Sequence, residues 1–252
     1  MKFGLIGHPI SHSLSPALFK AGYDGRYPYE LIENPDFEKA YQRFLDEYDG
    51  INVTAPFKEY AFAKADMLSE ECKATGASNL LVKTPEGVKA YNSDYLGVRM
   101  WLQEVADPAE MPLNVLIAGL GGAGKAAAAA AESLGMKVVR MNRTVRDKTI
   151  RPLEDFRECF READIIIYNI PSGIPVLDEL SDEDFNPGRP KHILEANYRN
   201  PSFTGTLMER MKAANPMATY TGGRIWLLYQ ALTGYEIFTG EKPDLRKMAD
   251  VI

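Results

Sequence analysis

The sequence predicts an α/β protein in two parts: a doubly wound, mostly parallel sheet, and before it a smaller α/β unit. Three observations carry this. Residues 115–118, 137–141, 164–168 and 192–196 are continuous apolar runs with little alternation, the pattern of parallel strands buried on both faces. Helical stretches separate the first three, as a doubly wound sheet requires. The first 99 residues instead interleave shorter apolar runs with helical segments and include one Pro/Gly-turned pair of runs, which adds an antiparallel hairpin at one edge.

In chain order, Phe3–Gly7 reads as a strand and Pro16–Tyr23 as a helix. Tyr27–Ile32 is a second strand. Asp36–Tyr48 carries Phe37, Tyr41 and Phe44 at helical spacing. Gly50–Thr54 is a third strand. Asn79–Lys83 and Val88–Asn92 flank Pro85-Glu86-Gly87, the signature of a hairpin. A helix over about 95–105 and the polar stretch 107–110 lead into the second part. The tail from about Ile225 to Ile252 is helical at its start, with Trp226, Tyr229, Leu232 and Ile237 roughly on one side.

Bulk properties narrow the function. Of 252 residues, 45% are hydrophobic and 25% charged, values of an ordinary globular protein with a sizeable core. The formal net charge of −6, with no Lys/Arg run, makes nucleic acid and anionic membrane poor partners. No apolar run approaches the ~18–20 residues that span a bilayer. The N-terminus reads as a strand, not a signal peptide, so the expected compartment is the cytoplasm. Cys72 and Cys159 stand far apart, in no CxxC spacing, and read as reduced thiols. His8 and His12 lie four apart, but nothing beside them completes a metal-ligand set; His192 reads as a strand residue. No metal is expected.

Gly119-Leu120-Gly121-Gly122-Ala123-Gly124 fits G-x-G-x-x-G, directly after the strand 115–118 and opening a helix over 125–134. The first glycine allows the tight turn, the second the approach of a pyrophosphate, the third close helix–strand packing. The helix N-terminus then offers free N–H groups and its positive end to the phosphates. In that strand–loop–helix context the motif reads as a Rossmann-type dinucleotide site; a tight turn with no ligand is the alternative. Gly119–Lys125 also matches the start of a nucleoside-triphosphate loop. The Ser or Thr that would bind Mg²⁺ is Ala126 here, which makes that reading improbable.

The next strand runs into Asn142-Arg143-Thr144-Val145-Arg146, where an NAD-specific fold places an acid for the ribose 2′-hydroxyl. The nearest acid, Asp147, comes after both arginines. Arg143 and Arg146 suit a 2′-phosphate, which guanidinium groups grip by charge-assisted planar hydrogen bonds. The expected cofactor is NADP; the alternative is two solvated loop arginines.

Polar residues gather near strand ends of the first part: Ser11-His12-Ser13-Leu14-Ser15-Pro16, Asn52-Val53-Thr54-Ala55-Pro56-Phe57-Lys58 and Asn92-Ser93-Asp94. Each has a plain reading. Ser15 before Pro16 has the order of a helix N-cap and N1 proline. Lys58 and Asp94 read singly as surface charges, and Asp94 also as a helix cap.

Taken together and in order, these segments resemble the shikimate dehydrogenase family. Gly7–Pro16 looks like its opening motif, Asn52–Lys58 its lysine motif, and Gly76-Ala77-Ser78-Asn79 and Asn92-Ser93-Asp94 its next two blocks. Gly119–Gly124 with Asn142-Arg143-Thr144 resembles its NADP site, Tyr198–Thr204 a late loop, and Gly223 with Gln230-Ala231 its C-terminal helix. The resemblance spans about residues 4–240. It implies a substrate-binding catalytic domain over 1–99, completed by C-terminal helices over 224–252, and an NADP-binding Rossmann domain over 100–223. It implies reversible reduction of 3-dehydroshikimate to shikimate, a step of aromatic amino-acid biosynthesis. Lys58 and Asp94 become the catalytic pair; Ser13, Ser15, Thr54, Asn79 and Gln230 become substrate ligands. Gly119, Gly121, Gly122, Ala123, Gly124, Asn142, Arg143, Thr144 and Arg146 become cofactor contacts.

The residue types suit the chemistry. Hydride delivery to a ketone makes an alkoxide, which a lysine held by a carboxylate can protonate. A polyhydroxylated ring acid needs hydroxyl and amide partners. Departures from the family pattern are Phe19-Lys20 for His-Asn, Leu80 for Thr, Ser93 for Thr, Ile170 for Thr, and Ile225-Trp226 for Gly-Met. The alternatives are a paralogue acting on quinate with NAD or NADP, and a non-catalytic dinucleotide sensor. A monomer and a homodimer are both compatible with the sequence.

Overall fold

The computed structural model describes all 252 residues. They form two compact units, Met1–Gly97 with Leu227–Ile252, and Val98–Trp226.

The first unit runs β1 (Phe3–Gly7), α1 (Ser15–Gly22), β2 (Tyr29–Glu33), α2 (Phe37–Glu47), β3 (Gly50–Val53), α3 (Lys58–Lys64), β4 (Met67–Leu68), α4 (Glu70–Thr75), β5 (Leu80–Thr84), β6 (Gly87–Tyr91) and the start of α5 (Ser93–Val105). Its sheet has the order β2-β1-β3-β5-β6-β4. β1 lies parallel to both β2 and β3, and the β5–β6 hairpin is antiparallel, pairing Leu80 with Tyr91 and Thr84 with Gly87. The hairpin is not the edge: β4 pairs parallel with β6 outside it. Two residues are too few to leave an apolar run in the sequence, and the short helices α3 and α4 are equally silent there.

Successive side chains of a strand face opposite sides of a sheet, and both sides are used. Ile6, Ile51, Val53, Leu81 and Ala90 pack with Phe37, Ala40, Tyr41 and Phe44 of α2, a helix whose N-cap, Asp36, accepts from Lys39 N–H. On the other side Phe3 and Leu80 pack with Leu18, Phe19, Leu228, Tyr235, Phe238 and Met248. That cover comes from α1 and from the far end of the chain, α9 (Gly223–Thr239) and α10 (Leu245–Ala249). Phe238 stacks on Phe3 at 4.9 Å between centroids, and Gly50 leaves the space: a Cβ there would run into the Phe238 ring.

The second unit contains β7 (Asn114–Ala118), α6 (Gly122–Ser133), β8 (Lys137–Met141), β9 (Ile150–Arg151), α7 (Phe156–Glu162), β10 (Ile165–Tyr168), β11 (Lys191–Glu195), α8 (Gly205–Ala214) and β12 (Ala218–Thr221). Its sheet, β9-β8-β7-β10-β11-β12, is parallel throughout. Counted from β7 this is the order 3-2-1-4-5-6 of a Rossmann fold, whose ligands bind beyond the carboxyl ends of the strands where the order reverses. That reversal lies between β7 and β10. Ala126, Ala127, Ala128, Ala130 and Ala131 of α6 are buried; alanine favours the helix and keeps its buried side thin.

Four charged residues are buried in this unit, Asp164, Asp184, Lys191 and Glu195. Asp184 receives Arg157 Nε at 2.9 Å and Arg161 Nη2 at 2.8 Å. Lys191, with no exposed surface, donates to the carbonyls of Phe160 (2.7 Å) and Ala163 (2.5 Å), groups at the end of α7 that the helix itself leaves unpaired. Burial pushes the Lys191 ammonium down to about 8 despite the opposing pull of Asp164. Cys72 and Cys159 are buried and free, and burial raises the Cys72 thiol to about 11. No helix is long and apolar enough to cross a membrane.

Candidate active site

In the first unit, Lys58 opens α3 and Asp94 lies in the first turn of α5. Lys58 Nζ donates to Asp94 Oδ2 at 2.5 Å, with the two side chains 24% and 15% exposed. Thirty-six residues of chain separate them, so the tertiary fold makes the pair, and neither is a freely solvated surface charge. Asp94 is not the helix cap either. Asn92 Oδ1 accepts the Tyr95 N–H, which leaves the Asp94 carboxylate for Lys58.

The hydroxyl and amide residues follow the same strand ends. Ser15 is not an N-cap: α1 begins at Ser15 itself, and its N-cap position, Leu14, makes no side-chain cap bond. Instead Ser13 Oγ accepts the Ser15 N–H at 3.2 Å and donates to Ser15 Oγ at 3.1 Å. Thr54 follows β3, its N–H on Ile6 O. Asn79, just before β5, is buried; its Oδ1 accepts from Ser93 N–H at 2.7 Å. Ser93 Oγ reaches both Asn79 Oδ1 (3.2 Å) and Gln230 Oε1 (3.1 Å), so Gln230 of α9 joins Asn79 through one hydroxyl. Sequence reasoning misses Ser93 as a site residue; only its neighbour Asp94 carries a signal.

In the second unit the three glycines of the loop each show their own constraint. Gly119 has φ +92°, a left-handed conformation reserved in practice for glycine. A Cβ on Gly121 would meet nothing, so its backbone is open to a ligand. A Cβ on Gly124 would collide with the Gly119 carbonyl oxygen. Gly122 and Ala123 begin α6, whose N-terminus carries the unpaired N–H groups that suit phosphate. The loop follows β7 at the reversal of strand order, with Asn169 N–H on Ala118 O beside it.

Beyond β8, Asn142 Nδ2 donates to Thr144 O at 3.4 Å and fixes the turn. Arg143, Thr144 and Arg146 are exposed. Asp147, the nearest acid, accepts from the Thr149 hydroxyl and N–H, which lower its carboxyl. The two arginines thus remain available for an anion. A dinucleotide phosphate with a 2′-phosphate fits this set of groups.

The departures have structural places. Leu80 is buried in the core, and Phe19 lies in an aromatic cluster with Phe3, Tyr29 and Tyr235. Trp226 is buried, and Ile170 and Ile225 are half-buried.

Residues 5–81 match the family described as shikimate dehydrogenase substrate binding domain. Residues 100–186 match the NAD binding domain of D-isomer specific 2-hydroxyacid dehydrogenase. A Staphylococcus epidermidis protein named shikimate dehydrogenase (NADP(+)) is 30% identical over 100% of this chain and 97% of its own length. The crystal structure of shikimate 5-dehydrogenase from Thermus thermophilus, in complex with NADP(H) and shikimate, superposes with a TM-score of 0.80 at 27% identity, covering 100% of this chain and 98% of that one. Quinate dehydrogenase from Corynebacterium glutamicum in complex with NAD has a TM-score of 0.81 at 22% identity, covering 100% and 98%, a likeness of fold alone.

Proposed function

The chain belongs to the shikimate dehydrogenase family, and we propose that it catalyses the reversible, NADP-dependent reduction of 3-dehydroshikimate to shikimate in aromatic amino-acid biosynthesis. The observation that carries the reading is the Lys58–Asp94 pair in one unit with Ser13, Ser15, Thr54, Asn79 and Gln230.

We assign Lys58 and Asp94 as the catalytic pair. Asp94 holds the Lys58 ammonium through Oδ2, and its carboxylate also accepts from a ring hydroxyl. In the reductive direction Lys58 donates a proton to the oxygen that becomes the alcohol; in the oxidative direction it accepts that proton back. Ser13 and Ser15 hydroxyls take the ring carboxylate, and Thr54, Asn79 and Gln230 take ring hydroxyls, so a substrate without these groups leaves them unpaired. The dinucleotide, when bound, supplies or accepts the hydride. Gly119, Gly121, Gly122, Ala123 and Gly124 would cradle its pyrophosphate, and Asn142, Arg143, Thr144 and Arg146 its adenosine 2′-phosphate. The reading includes a cytoplasmic protein, monomeric or homodimeric, acting on small molecules.

The test is initial-rate absorbance at 340 nm with shikimate and quinate, each with NADP⁺ and NAD⁺. Rapid reduction with shikimate and NADP⁺ alone is expected. Quinate turnover or a preference for NAD⁺ moves the chain to a paralogue. Measurable NADP⁺ binding without turnover of either acid makes it a sensor.

A further inference from the structure

Two of the residues assigned to the substrate, Ser15 and Asn79, are backed by tyrosines that no motif singles out. Tyr235 of α9 donates its hydroxyl to the Ser15 carbonyl at 3.1 Å. Tyr29 of β2 donates to Asn52 Oδ1 at 2.8 Å, and Asn52 Nδ2 donates in turn to Asn79 O at 3.4 Å.

The direction of these bonds follows from the proton inventory. A carbonyl and an amide oxygen only accept, so both phenol protons are committed, one to Ser15 O and one to Asn52 Oδ1. Ser13 Oγ–H points to Ser15 Oγ. Tyr235 thus backs Ser15 through its carbonyl, and Tyr29 backs Asn79 through Asn52; with Ser13 these bonds reach three of the five substrate groups. An arriving carboxylate needs only the two serine hydroxyls to swing about their Cβ–Oγ bonds, since charge-assisted bonds exceed neutral ones. The oxygens themselves are already placed.

We propose that Tyr235 is a positioning residue that holds Ser15 ready for the substrate carboxylate, and that Tyr29, through Asn52, does the same for Asn79. The proposal rests on the assignment of Ser13 and Ser15 to that carboxylate. The aromatic rings alone do not explain the arrangement. Both rings pack on Phe19 at 4.7 Å between centroids, and phenylalanine would do that equally well; what the hydroxyls add is the connection to Ser15 and Asn52.

Tyr29→Phe and Tyr235→Phe keep the ring contacts and remove only the hydroxyls. Each is expected to raise KM for shikimate about 3–10-fold, the scale of one net hydrogen bond, while kcat and KM for NADP⁺ stay within about twofold. Two comparisons separate positioning from general loosening. In a Ser15→Ala background the added effect of Tyr235→Phe disappears, and in an Asn79→Ala background that of Tyr29→Phe. With the methyl ester of shikimate, which lacks the carboxylate charge, Tyr235→Phe and wild type become equal. An unchanged KM for shikimate in both variants, or the same rise with the paired alanine in place, overturns the proposal. If one variant does not fold, as a thermal melt will show, the other carries its own comparison. Wild-type turnover of shikimate is measured first; its absence defeats the underlying functional reading, whereas normal wild-type turnover with indifferent variants defeats this inference alone.

Discussion

The Lys58 ammonium is held by Asp94 at 2.5 Å, and the two come from helices whose first turns the fold brings together. Lys58 opens α3 shortly after β3, and Asp94 enters α5 directly after β6. A pair fixed at two helix starts has little freedom to separate. Lys58→Ala should therefore lower kcat about 10²–10⁴-fold, the range of general acid–base catalysis, with NADP⁺ affinity unchanged by fluorescence titration. Asp94→Asn should fall in the same direction. A Lys58→Ala enzyme with wild-type kcat removes the lysine from the chemistry.

Discrimination between the two dinucleotides should reside in the turn after β8. Arg143→Ala is expected to raise KM for NADPH about 10–100-fold, the worth of a charged hydrogen bond, and KM for NADH far less. Steady-state kinetics with both cofactors decide it; equal effects would make the arginine a solvated loop residue.

The glycines of the loop should separate stability from binding. Gly124→Ala forces a Cβ against the Gly119 carbonyl oxygen, a backbone atom that cannot swing aside, so a loss of about 1–3 kcal/mol in urea unfolding is expected. Gly121→Ala places its Cβ in open space at φ −68°. Its melting temperature should hold while NADP⁺ Kd rises at least about tenfold, because the added methyl stands where the pyrophosphate would approach. A Gly121→Ala protein that binds NADP⁺ normally would show that the phosphates do not pass there.

Lys191 should make stability depend on alkaline pH in a calculable direction. Its folded-state value of about 8 lies below the ordinary 10.5. Between those values the unfolded chain still binds the proton and the native chain has released it, so stability rises with pH across the window, by about 1.4 kcal/mol per pH unit at most. Below about pH 8 both states are protonated and the burial cost of the ammonium is carried in full. Urea midpoints of wild type against Lys191→Met, from about pH 7 to about pH 10.5, measure this. Curves that stay parallel would mean that the two carbonyls keep the ammonium charged.

Patterns that depend on neighbours in sequence are legible, and those that depend on the fold are not. The strands at 115–118 and 137–141 and the helix with Phe37, Tyr41 and Phe44 each announce themselves through local apolar spacing, and the glycine loop through its flanks. Ser15 misleads because the order Ser-Pro fits a cap, whereas Ser13 takes that N–H from two residues away. Asn92, the actual cap of α5, is hidden beside Asp94, the residue we assign to the chemistry. β4 has two residues, too few for a period, and β12, Ala-Thr-Tyr-Thr with one buried position, leaves no apolar run to read. Tyr235 meets Ser15, and Tyr29 meets Asn52, only through tertiary packing, so no local pattern could have found them.

The cover of the first sheet has a consequence for how the chain is made. Residues 1–97 leave the ribosome before the second unit, yet the side of their sheet that carries Phe3 and Leu80 is completed by α9 and α10, which follow the second unit in the chain. The second unit, Val98–Trp226, comes from the uninterrupted stretch between and can close its own sheet as that stretch emerges. The half made earlier thus waits, one apolar face open, until α9 and α10 have been made. A stop codon just after residue 226 would spare the second unit and cripple the first.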